Sequence, residues 1–109
     1  SWAHQAVVGR LHLALAGYLR THRVGYVFMA PADVEPFDGS LVQPDLFVTP
    51  LVDGRRPRDW AEARRLLLAV EVVSPSSARA DRVTKRRLYQ RMRVPEYWVV
   101  DLDARVVER

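Results

Sequence analysis

Asp45 follows Pro44 at the head of the apolar run PDLFV, and Glu71 interrupts the apolar run LLLAVEVV. Lys85, the one lysine beside 16 arginines, stands 14 residues after Glu71. An ionised carboxylate among apolar strand residues is costly unless it is paired, hydrogen-bonded or bound to a metal. Two carboxylates from neighbouring strands make an all-oxygen site suited to Mg²⁺ or Mn²⁺. With an ammonium beside them, that set is equipped for metal-assisted cleavage of a phosphodiester. Each residue also has a plainer reading. Glu71 could reach solvent at a strand end or pair with an arginine, Asp45 could be a strand-start or turn residue, and a GC-rich coding bias could leave one lysine by accident.

The segment after Glu71 adds to the constellation. Asp81 and Lys85 are four apart and so share one face if the segment is helical, which would let Asp81 orient the ammonium; an exposed ion pair is the alternative, worth only a few tenths of a kcal/mol. Tyr89, one turn further, either lines the same wall or fills the core, and the core is favoured. From Arg79 to Arg93 seven basic residues meet one acid, Asp81, a balance of +6 against +4 for the whole chain. Such a stripe can contact a phosphate backbone, with Arg79, Arg82 and Arg86 as the candidates, although charge runs are more often solvated helix faces. His4 and His12 are too far apart on one helix to share an ion, and no HExxH or nucleophile-elbow pattern accompanies them. Ser74 and Ser76 read as turn and cap residues.

The elements that must position these groups follow from periodicity. Ala3, Val7, Leu11, Ala14, Leu15 and Tyr18 recur at three- and four-residue steps, predicting a helix over about Ala3 to Leu19. YVFMA predicts a first strand. Asp38-Gly39 between apolar segments predicts a hairpin, so that the first and second strands are antiparallel neighbours, with Pro44 confined to a strand start, bulge or edge. The stretch from Asp53 to Arg65 reads as a surface connection with a helical turn or two. LLLAVEVV predicts a central strand apolar on both faces, with Glu71 in phase with Leu67, Ala69 and Val73. A second helix over about Ala80 to Met92 would turn Val83, Leu88 and Met92 inward and its arginines to water. PEYWVVDL is a further buried strand, parallel to LLLAVEVV through a right-handed crossover, and Asp103-Ala104 turns into a last strand. The order helix, strand, strand, strand, helix, strand predicts an α/β (α+β) domain with a mixed sheet flanked by helices. At 109 residues one domain spans 1–109, and since the last strand has only begun at Arg109, a fragment of a slightly longer domain is the other reading.

Composition excludes several classes. With no cysteine there is no disulfide framework, thiolate nucleophile or cysteine zinc site. No apolar run approaches the roughly 18 residues of a membrane span, and SWAHQAVVGR lacks the order of a signal peptide; a cytoplasmic protein without a membrane partner is expected.

QPDLFV, VEVVSPSS, Asp81 with Lys85 and Tyr89, and VPEYWVVDL together resemble the Uma family of endonucleases within the restriction-endonuclease-like PD-(D/E)XK superfamily. The resemblance extends over nearly the whole chain, His4 included. It implies a restriction-endonuclease-like αβββαβ core; DNA is the expected partner, a homodimer is a further expectation, and Mg²⁺ or Mn²⁺ is the expected cofactor. It implies Asp45 and Glu71 as catalytic metal ligands, with Lys85 in place of the superfamily lysine whose usual position is Val73 here. His4 reads as a structural residue or one supporting the site, and the resemblance adds a case for its standing close by. Family members often carry glycine where this chain has Arg93, a difference touching stability more than chemistry. The competing expectation is a catalytically silent nucleic-acid-binding or partner-binding module of the same fold.

Overall fold

The computed structural model of the chain describes residues 1–37, 39–74 and 79–109, with the side chains of Arg79 and Ala80 outside that description. Helix α1 (Trp2–Thr21) starts at Ser1, whose hydroxyl accepts the His4 N–H at 3.2 Å, satisfying one of the free amides of the first turn. It stops at His22, whose ring stacks on Tyr18 at 4.1 Å. Strand β1 (Gly25–Met29) follows at once. Its first residue must lack a side chain, because a Cβ on Gly25 would come within 2.6 Å of the Thr49 carbonyl oxygen.

β2 (Leu46–Pro50) pairs antiparallel with β1 in the register Phe28↔Phe47, as expected. The join is not a tight turn. Residues 30–45 form a wider connection closed by mutual hydrogen bonds between Val34 and Val42, at 2.9 and 2.8 Å. Asp38 of the Asp38-Gly39 signal lies outside the described residues. Pro44 stands just ahead of β2, where its missing N–H costs the ladder nothing. After the one-turn helix α2 (Trp60–Ala63), capped by Asp59, comes β3 (Leu68–Val73). β3 pairs antiparallel with β2 and parallel with β4 (Glu96–Asp101), and β5 (Val106–Glu108) closes the five-stranded mixed sheet in the order β1-β2-β3-β4-β5. Helix α3 (Arg79–Arg91) makes the crossover between the parallel strands.

β3 is buried on both faces, and its alternation divides the core. Leu68, Val70 and Val72 point to the face covered by Val7, Val8, Leu11, Leu15, Ala16 and Leu19 of α1. Ala69 lies on the other face, with Phe47, Leu66, Val34 and Tyr89 of α3. Three expectations shift. On α1, Ala3, Ala14 and Tyr18 are exposed, because the larger Val8 and Leu19 gain more from the sheet and Tyr18 is taken by His22. Leu67 packs on the α1 face, opposite to Glu71, since the regular pleat begins only at Leu68. Val83 is 46% exposed instead of facing inward, because the Tyr89 ring, 1% exposed, sets the rotation of α3.

Candidate functional site

The ends of β2 and β3, with one face of α3, bring the singled-out residues together. Asp45 sits just ahead of β2. Its Oδ2 accepts the Val72 N–H at 2.7 Å, so a carboxylate bridges the two strands beyond the last backbone pair, Leu46↔Val70. A hydrogen bond to an ionised acceptor is stronger than a neutral one. The other oxygen, Oδ1, lies 3.3 Å from Nε2 of His4, which α1 carries over this end of the sheet.

Glu71 is 6% exposed and belongs to the same sheet face as Ala69. Tyr89 donates its hydroxyl to Glu71 Oε1 at 3.2 Å, and Lys85 Nζ lies 3.6 Å from Oε2. Burial drives the Glu71 carboxyl up to about 7; the Lys85 charge pulls it down, Asp45 pushes it further up, and the hydrogen bonds from Tyr89 and Lys85 lower it. Burial, with the Glu71 charge beside it, likewise holds the Tyr89 hydroxyl far above the ordinary phenol range, so it remains a donor. Tyr89 therefore fills the core and touches the site, two roles weighed as alternatives from the sequence. Lys85 also lies 3.5 Å from Asp81, which is largely exposed.

The expected phosphate-contacting arginines are placed differently. Arg82 and Arg86 do not simply face water: Arg82 pairs with Asp101 at 3.2 Å, and the Arg86 guanidinium lies 5.6 Å from the Tyr97 ring centre. Both remain partly exposed. The Asp101 partner, 19 residues away, carries no local signal in the sequence; two backbone N–H groups, of Asp103 and Ala104, also bond to it and hold its carboxyl below the usual range. The Arg79 side chain lies outside the described residues, as do Pro75 and Ser76 of the expected turn.

A matching family model, Uma2, described as "Putative restriction endonuclease", covers residues 1–109. The chain belongs to the Uma2 family. No curated protein matches it.

The donor set suits a hard cation. Asp45, just ahead of β2, and Glu71, within β3, offer carboxylate oxygens on adjacent strands, and Mg²⁺ is commonly held by one or two protein carboxylates with water completing the shell. Among the described residues no group of three or more His, Asp or Glu residues surrounds one point. Among the described residues no helix is long and apolar enough to cross a membrane.

Proposed function

We propose that the chain is a divalent-metal-dependent nuclease hydrolysing phosphodiester bonds in DNA. The observation that carries this reading is the buried Glu71 carboxylate, close enough to Asp45 to feel its charge and faced by the one lysine of the chain. A structural ion pair gains little from placing a carboxylate where burial opposes its ionisation, whereas a site for a cation does.

Asp45 and Glu71 would hold Mg²⁺ or Mn²⁺, which supplies charge neutralisation at the scissile phosphate and eases deprotonation of the attacking water. Water oxygen forms the new bond to phosphorus, the bond to one ester oxygen breaks, and that oxygen takes up a proton. Lys85 places a compact ammonium against the developing charge, and Asp81 limits its swing. Tyr89 fixes one oxygen of Glu71 and His4 holds one of Asp45, so each carboxylate keeps its orientation. Arg82 and Arg86, with Arg79, would hold the backbone.

The test is cleavage of plasmid and single-stranded DNA with Mg²⁺ or Mn²⁺ by the wild type, Asp45→Asn and Glu71→Gln. Metal-dependent cutting in the wild type alone is expected. DNA binding with no cutting under any metal would leave the silent binding module as the better reading.

A further inference from the structure

The sheet face that carries Glu71 also holds, over β1 and β2, a pocket of about 310 Å³, at the small end of ligand pockets. Phe28 and Phe47, paired across the strands, stack at 5.4 Å to form one wall, and Trp60 at the head of α2 forms another. Thr49, two residues beyond Phe47 on β2, lines the same pocket; it is 1% exposed and its hydroxyl has no hydrogen-bond partner. A buried hydroxyl without a partner is uncommon and calls for an explanation.

The rim is acidic. Asp33 accepts the Gln43 side-chain amide at 2.6 Å, and Asp59 accepts the Glu62 N–H at 3.0 Å. Each carboxylate retains acceptor capacity beyond that one bond. Arg58, also on the rim, shares the Glu62 carboxylate with Arg55, each at 2.8 Å, so the three carboxylates Asp33, Asp59 and Glu62 outnumber the two arginines and the rim stays net acidic. A phosphate would be repelled here. A flat, uncharged ring with amine donors meets both the aromatic walls and the acceptors.

Position supplies the rest. Phe47 pairs with Ala69, and Glu71 is the next residue of β3 on that face, making Phe47 and Glu71 diagonal neighbours roughly 7–8 Å apart. We propose that this pocket receives one unpaired nucleobase with an exocyclic amine, cytosine or adenine, from a DNA strand whose backbone lies at Asp45 and Glu71. Base stacking on the aromatic walls supplies affinity, and acidic side chains accept from the amine. The placement of the backbone rests on the nuclease reading; the pocket chemistry does not.

Binding of labelled single-stranded oligomers of cytosine, adenine or thymine, and of an abasic oligomer of equal length, tests this without metal. The wild type should bind the cytosine and adenine oligomers roughly tenfold more tightly than the abasic one, and more tightly than thymine. Ala63→Leu, which fills the pocket, should erase the difference while keeping abasic binding and melting temperature. Thr49→Val, which removes only the hydroxyl, should weaken cytosine binding severalfold, and it carries the test if Ala63→Leu folds poorly. Equal affinity for abasic and cytosine oligomers, no binding at all, or full preference in a normally melting variant overturns the pocket. Cleavage with Mn²⁺ is scored separately: base preference without cleavage overturns the nuclease reading alone, and cleavage without base preference overturns the pocket alone.

Discussion

Lys85 stands between two carboxylates, 3.6 Å from Glu71 and 3.5 Å from Asp81, and its replacement by arginine separates charge from shape. Arginine keeps the positive charge and the helix propensity, but its planar guanidinium cannot occupy the space of an ammonium and holds its proton at any working pH. Lys85→Arg should keep fold and DNA affinity yet lose on the order of a hundredfold in cleavage rate; full activity, measured beside melting and binding, would make the lone lysine an accident of composition. Glu71 supplies a pH signature. Its carboxyl rises from 4.5 to about 7 on folding, so the folded protein binds this proton more tightly than the unfolded chain does. The resulting stabilisation is present in full below about pH 4.5 and is lost as pH rises through about 7, an amount of about 3 kcal/mol in metal-free protein. Melting curves from pH 4.5 to 7.5 should slope downward for the wild type and flatten for Glu71→Gln. Glu62, held at about 2 by Arg55 and Arg58, acts in the opposite sense at lower pH, where its contribution is lost as pH falls, so the windows separate. Asp45 behaves differently because it bonds the Val72 amide: Asp45→Asn keeps an acceptor oxygen, whereas Asp45→Ala should cost about 2 kcal/mol in a denaturant melt.

The end of α3 shows an element held in place against local preference. The Val94 N–H reaches the Tyr89 carbonyl and the Arg93 N–H the Gln90 carbonyl, each at 3.0 Å, which is the paired bonding of a Schellman cap. That cap wants a left-handed residue, and Arg93 takes it at φ +58°, where an L side chain is strained. Arg93→Gly should therefore raise stability by about 1 kcal/mol with activity unchanged, read from the melting temperature; an unchanged or lower value would show the strain to be compensated elsewhere. The same element marks what was legible in the sequence. The glycine position before VPEYW comes from the family resemblance alone, whereas the central strand around Glu71, the parallel crossover and the three charged groups announce themselves in local pattern. Val83, Tyr18 and Arg82 do not. Their placement depends on which large neighbour wins a shared face, and on Asp101 arriving from a distant strand, and neither is encoded in spacing along the chain.

For the molecule as a whole, the basic charge of α3 is unevenly available to a polyanion. Arg86, resting over Tyr97, can release counterions on binding DNA, so Arg86→Ala should flatten the slope of log affinity against log salt by about 0.9. Arg82→Ala also removes the Asp101 pair, so its effect on binding must be read beside a melt. The sheet, too, is unevenly tied. β1 meets β2 over five register pairs and β3 meets β4 over six, but β2 meets β3 over only three, with the Leu67 and Val72 amides fastened at the two ends. Asp45 sits on one side of that short seam and Glu71 on the other. Amide hydrogen exchange should then find the molecule opening as two cooperative halves, with the Val72 amide exchanging ahead of the β3–β4 ladder. A divalent ion shared by the two carboxylates would act as a clasp across the seam and slow that exchange, so the catalytic state and the closed state of the sheet would be gained together.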